Sequence, residues 1–307
     1  MFTRLFPVLF IVAATLCGCG SADTPAPAPT AAVPTPVAFD GKWSVAGDGI
    51  QTPESAYVDP GTGDVFVSLV AGMPAEKDGK GWISRLTSDG SVVAPTWVSG
   101  LNAPKGLRSH QGTLWTADID EIVGINIETA QITSKVKVEG AQFLNDVATG
   151  SDGTVYVSDM MGNRIYALKD GKVSVFAEGE DLEYPNGLLV EGNSLVVGAW
   201  GKPEPDFSTK IPGRIYKLDL KTKKKALVTP DPAGNFDGLE SDGKGGYIVS
   251  DYLAGKILRV SSDGKMETVT QFTPGAADIG FAAGRNLLIV PHMNENKVAA
   301  YDLATLK

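Results

Sequence analysis

FLNDVATGSDGTVYVSD, residues 143 to 159, reads as a short entry segment, an apolar strand, a hairpin and a second strand. The runs around Val147 and Val155 are rich in β-branched and aromatic residues, and GSDG between them has turn composition. A polar pair, Asn145 and Asp146, stands directly in front of the first run. Residues at the same phase precede apolar runs elsewhere: Glu54, Lys105, Asn145, Asn186, Asp237 and Asp278, at successive spacings of 51, 40, 41, 51 and 41 residues.

Around each of these anchors the pattern extends in the same order. The first strand and hairpin lead to a second strand ending near Asp, as in LWTAD, VYVSD and YIVSD. A third strand of the GRIYKLDL type follows, and then an outer one such as KVSVFAEG. Four strands per unit of about forty residues is the signature of a propeller blade, because one such sheet cannot bury both faces and a ring of neighbours can. The two longer spacings are insertions, AGMPAEKDGK and GKPEPDFSTKIP, each between a second and a third strand. Six anchors predict an all-β, six-bladed β-propeller with four-stranded blades. Only 29 residues follow Asp278, too few for four strands. The missing one is supplied from the front of the domain, where GKWSVAGDGIQTPE (41–54) matches GKVSVFAEGEDLEYPN (171–186) in strand, turn and anchor. An N-terminal strand is therefore expected to close the last blade and remove the open edge of the ring.

Ahead of the propeller, assigned to residues 41–307, the chain has a different character. Arg4, the apolar run Leu5 to Leu16 and the small residues after it read as a signal peptide over residues 1–18. Leu16-Cys17-Gly18-Cys19 resembles a bacterial lipoprotein processing box, which makes Cys19 the expected lipidation site. Residues 19–40 are rich in Pro and Ala and read as an extended tether. Gly20 after that cysteine points to the outer membrane, with the body facing the periplasm or the cell surface. After processing, Cys19 would be the sole thiol, leaving no disulfide, cysteine nucleophile or cysteine-rich metal site. Acids outnumber Lys and Arg by 36 to 27, a formal charge of −9, which argues against a general nucleic-acid binder.

In a propeller the turns into the innermost strands gather on one face around the axis, so the anchors converge. Glu54, Asn145, Asn186 and Asp237 would present two carboxylates and two amide oxygens, an oxygen-only set suited to a hard cation: Ca2+ first, with Mg2+, Mn2+ or Zn2+ as alternatives. Taken singly, Asn-Asp, Asn-Gly and Asp-Gly also start turns. Asp146 is a candidate to assist water, and Asp237 a candidate both to ligate and to take a proton. Lys105 could balance the acids or contact the ligand, with Asp278 in support. Trp200 and Phe207 could wall the pocket. Asp118, Asp159 and Asp251 are expected to support turns. His292, in the phase of those aspartates, is expected to be structural, and His110 to lie exposed at a hairpin tip. No GxSxG elbow and no phosphate-cradling loop occurs.

With these residues in register, residues 41–307 resemble the calcium-dependent six-bladed propellers of the gluconolactonase and regucalcin (senescence marker protein) family. The resemblance implies a metal held by Glu54 in TPESAYVD, Asn145 in FLNDVA, Asn186 in YPNGLL and Asp237 in FDGLES, and hydrolysis of lactones. It also implies an arginine two residues before Asn145. Phe143 stands there instead, and the first ligand sits in Pro53-Glu54-Ser55 rather than Glu-Gly-Pro. The expected function is metal-dependent hydrolysis of a lactone or ester less polar than a sugar lactone, by a monomer. The competing reading is a lipid-tethered binding or interaction module whose metal is structural or holds a ligand.

Overall fold

The computed structural model describes residues 41–47 and 49–306. The signal peptide, the lipidation site at Cys19 and the tether over 19–40 lie outside the described residues.

Six four-stranded antiparallel sheets form the ring. Blade 1 runs outward from the axis through Pro53–Val58, Val65–Leu69, Gly81–Leu86 and Val92–Leu101. Blade 2 comprises Pro104–His110, Thr113–Asp118, Glu121–Asn126 and Gln131–Lys137. Blade 3 comprises Leu144–Thr149, Val155–Asp159, Arg164–Lys169 and Lys172–Glu178. Blade 4 comprises Pro185–Glu191, Ser194–Ala199, Ile215–Asp219 and Lys225–Leu227. Blade 5 comprises Phe236–Ser241, Tyr247–Asp251, Lys256–Val260 and Met266–Gln271. Blade 6 comprises Gly280–Ala282, Leu287–His292 and Lys297–Asp302, completed on its outside by Trp43–Ala46. Trp43 pairs with Ala300 and Ala46 with Lys297, the closure expected from the sequence.

Six clusters of buried apolar side chains each straddle two neighbouring blades. Val45 and Val298 of blade 6 pack with Val67 and Leu69 of blade 1, and Tyr156 and Ile165 of blade 3 pack with Leu195 and Tyr216 of blade 4. Each blade therefore buries its faces against its two neighbours, which is why the repeat must close into a ring. The blade 4 insertion lies between the second and third strands as expected, and within it Gly201–Pro203 and Thr209–Pro212 pair as a separate two-stranded ribbon.

The anchors are placed by a bulge that recurs at the start of the inner strands. In blade 3, Leu144 pairs with Asp159 and Val147 with Val157, so Asn145 and Asp146 together stand opposite Ser158. One extra residue bends the strand and re-aims its side chains. The same step lies between Pro53 and Ala56, Pro104 and Leu107, Pro185 and Leu188, and Phe236 and Leu239. Ser158 Oγ accepts the amide of Asp146 at 2.9 Å, replacing a ladder bond that the bulge removes. Ser68 does the same for Ser55 at 2.9 Å, and Ser250 for Gly238 at 2.8 Å. Glycine after the anchor has a cause other than turn formation. A Cβ on Gly187 would lie 2.0 Å from the carbonyl oxygen of Asp237, and one on Gly238 2.2 Å from the amide nitrogen of Ile279. Adjacent inner strands approach each other there too closely for any side chain.

Candidate functional site

The second strands support the anchors from behind. Asp159 accepts the amides of Gln142 at 3.0 Å, Phe143 at 2.8 Å and Gly162 at 3.1 Å. Asp118 accepts that of Ala103 at 2.7 Å, and Asp251 accepts those of Asn235 and Ala254. Each of the three aspartates thus fixes the residue two positions before an anchor, the turn-supporting role expected of them. His292, at the same phase in blade 6, is buried against Phe272 and Tyr301, its Nε2 2.9 Å from the tyrosine hydroxyl. Burial depresses its pKa to about 4, so near neutral pH it is an uncharged packing residue. His110 ends its strand half-buried, not exposed as expected, and its ring lies 3.5 Å from where a Cβ on Gly153 would stand.

On the face where the inner strands begin, a cavity of about 270 Å³ opens. Glu54, Lys105, Asn145, Asn186 and Asp237 line it, and all five are buried. Asn186 donates through Nδ2 to Asp237 Oδ1 at 3.1 Å and to the carbonyl of Phe236 at 3.3 Å. Among the described residues no donor reaches Glu54 Oε2, and no partner reaches Asn186 Oδ1. Burial, then repulsion by Asp237 and Asp278, pushes the Glu54 carboxyl well above the usual range. Burial and Asp278 do the same to Asp237, against the hydrogen bond from Asn186. Lys105 donates to the carbonyl of Ala103 at 3.0 Å and stands 4.5 Å from the centroid of the Phe143 ring. Burial lowers its pKa to about 8, with Glu54 and Asp118 opposing.

Asp146 and Asp278 do not line the cavity. Both oxygens of Asp146 are engaged with backbone, Oδ1 by the amide of Val147 and Oδ2 by that of Leu188, each at 2.6 Å. That is a different position from the one a base acting on water needs. Burial raises its pKa to about 7, opposed by Arg108 and the two amides. Asp278 Oδ2 accepts the hydroxyl of Ser55, and Oδ1 has no partner among the described residues. Arg108 is ion-paired with Glu240 at 2.7 Å, lies over the ring of Tyr57, and carries the positive charge that acts on both aspartates.

Above the floor is a collar of large side chains. Phe143, Met160 and Trp200 pack together with Tyr184, Tyr252 and Leu253. Val70, Ala103 and Ile119 form a smaller patch against Met293. Phe207, from the inserted ribbon, faces Phe143 with ring centroids 6.1 Å apart, and its carbonyl accepts the Trp200 indole N–H at 3.0 Å. Sequence reasoning named Phe143, Trp200 and Phe207 but missed Met160, Tyr252 and Met293. A signal for them exists in the repeat: Val70, Ile119, Met160, Trp200, Tyr252 and Met293 each follow directly the last residue of a second strand.

The two carboxylates, two amides and orphaned oxygens at the floor fit a hard cation in donor chemistry. Among the described residues no group of three or more His, Cys, Asp or Glu side chains could hold a metal ion, so any cation here must rely on the amide oxygens of Asn145 and Asn186.

Fold and mouth define the class: a six-bladed β-propeller with an acidic, oxygen-bearing floor under an aromatic collar. No protein-family model matches the sequence, and no curated protein matches it. Solved structures share the fold. A gluconolactonase from Xanthomonas campestris aligns over 89% of this chain and 95% of its own, at 16% identity and a TM-score of 0.61. A catalytically inactive virginiamycin B lyase from Staphylococcus aureus, solved with quinupristin, aligns over 87% and 97% at 15% identity and a TM-score of 0.55. A structure of a nidogen–laminin complex aligns over 74% and 88% at 16% identity and a TM-score of 0.62. At such identities the likeness is one of fold, and that fold serves both small-molecule enzymes and protein-binding modules.

Proposed function

We propose that this protein is a cation-dependent hydrolase of a lactone or ester, with Ca2+ the first candidate and Mg2+, Mn2+ or Zn2+ the alternatives. The observation that carries the reading is the pair of buried oxygens without donors, Glu54 Oε2 and Asn186 Oδ1, beside the Asp237 carboxylate. Burying an acid without a donor is costly, and a cation offsets that cost. Glu54, Asn145, Asn186 and Asp237 would hold it, and when bound it would polarise a carbonyl and favour hydroxide over water.

The chain's own residues supply the rest. Asp237, the acid that lines the cavity with one oxygen fixed by Asn186, accepts the proton of the attacking water. Asp146 keeps the inner strands of blades 3 and 4 together. The collar of Phe143, Met160, Trp200 and Tyr252 holds the apolar part of the substrate and excludes bulk water. The absence of an arginine at Phe143 favours a substrate less polar than a sugar lactone. In the cell the body would be held by lipid on Cys19 at the outer membrane.

A second reading, binding without catalysis, draws support from Met73, Phe207 and Ile211, which stand exposed on insertions at the mouth face. The test is turnover of a broad lactone and ester panel by the protein loaded with each cation, against a Glu54→Gln, Asp237→Asn double variant. Hydrolysis above that control is the expected result. Cation binding without it would sink the enzyme reading in favour of the binding module.

A further inference from the structure

Lys105 occupies the second anchor, and the proposed reading of the cavity gives it no task. The residue is 2% exposed, yet it lines the cavity and spends one of its ammonium's three donors on Ala103. The ring of Phe143 carries its charge from one side. Among the described residues no carboxylate comes within ion-pairing distance, although Glu54 is the acid that acts on it most strongly. The cavity is thus bounded by a hydrogen-bond donor on blade 2 and by acceptors on blades 1, 4 and 5.

An anionic ligand would meet a lining in which the acids Glu54, Asp206 and Asp237 outnumber a single lysine. A neutral carbonyl compound brings no charge against them, and its oxygen is the acceptor that the donor side lacks. We infer that Lys105 donates to the carbonyl oxygen of a neutral, apolar-bodied ligand, held in place by the Phe143 ring and the Ala103 carbonyl. The ligand's apolar body then lies under Trp200, Tyr252 and Phe207. During addition of water the π electrons of the C=O bond move onto that oxygen as the new C–O bond forms. Lys105 meets the charge there while the proton of the water goes to Asp237. Asp118, which holds the amide of Ala103, is a positioning residue for the ammonium.

The inference rests on the proposed site but not on turnover, so it is tested by binding. The probe is a phenyl-substituted δ-valerolactam, a neutral carbonyl ring resistant to hydrolysis, titrated calorimetrically into wild type, Lys105→Met and Lys105→Arg. Calcium is titrated separately into the same proteins. A charged donor's hydrogen bond predicts a loss of lactam affinity of about tenfold or more in Lys105→Met, partly restored in Lys105→Arg. Calcium affinity should move the opposite way in Lys105→Met, because a positive charge facing Glu54 has been removed. A lysine that only packs the cavity would leave lactam affinity unchanged in Lys105→Met, because methionine keeps an apolar stem of similar size. Lactam affinity unchanged in Lys105→Met, loss of both affinities together, or no lactam binding by wild type overturns the inference. Opposite shifts in a protein that hydrolyses nothing would leave it standing and remove the hydrolase reading instead.

Discussion

Two sets of acids in this molecule share a repeat and a burial, and differ in who their partners are. Asp159, Asp118 and Asp251 close the second strands and have backbone amides on their oxygens. Glu54 and Asp237 open the first strands, and between them and Asn186 two oxygens are without a donor. Acids of the first kind fix the chain, since each amide they accept would otherwise be buried unpaired. Of the second kind, Asp237 follows an entry segment that Asp251 holds through the amide of Asn235, whereas the second strand of Glu54's blade ends in Leu69 and has no such aspartate. The same side-chain chemistry is structural or available for ligand according to whether main-chain donors reach it.

The comparison can be broken in order of effect. Removing both charges with Glu54→Gln and Asp237→Asn should abolish calcium binding in titration calorimetry, and each single change should weaken it on the order of a hundredfold. Asp159→Ala should instead cost about 2 kcal/mol of stability in urea unfolding, from amides left buried without acceptors, with calcium affinity close to wild type. Equal calcium losses in the two sets would dissolve the distinction.

A smaller effect concerns pH. Burial raises the proton affinity of Glu54 and Asp237, so protons compete with the cation, and calcium affinity should rise as pH is raised above the range in which free carboxylates ionise. Without cation the sign for folding is reversed. Unfolded carboxylates ionise near pH 4 while these acids still hold their protons, so their contribution to stability falls as pH rises above about 4. Asp146 adds to that fall up to its raised pKa of about 7. Thermal unfolding across pH, with and without calcium, measures both slopes; a cation-free stability that rises through this range would contradict the pKa directions.

Much of the ring was legible in the sequence, because blade length, turn placement and anchor phase are local and repeat. Trp43–Ala46 could be assigned to the last blade from its match with residues 171–186 alone. The aspartates of the second strands were legible for the same reason. Other features were not, because they arise between blades. Gly187 and Gly238 read as turn glycines, but their cause is an opposing backbone forty to fifty residues away. Asp146 read as a candidate to assist water, but the amide of Leu188, supplied by the next blade, takes one of its oxygens. The Lys105–Phe143 contact likewise joins blades 2 and 3. Phase identifies which residues share a level of the ring, and only the packing of adjacent strands tells which of them touch.

The closing strand has a further consequence. Because Trp43 pairs near the far end of Lys297–Asp302 and Ala46 near its start, the described chain enters on the side opposite the mouth, and Leu306 lies on that same side beyond Asp302. A biosensor chip or carrier coupled next to Trp43 or Leu306 would meet the face opposite the aromatic collar. A surface-coupled preparation should therefore bind small molecules as well as the free one.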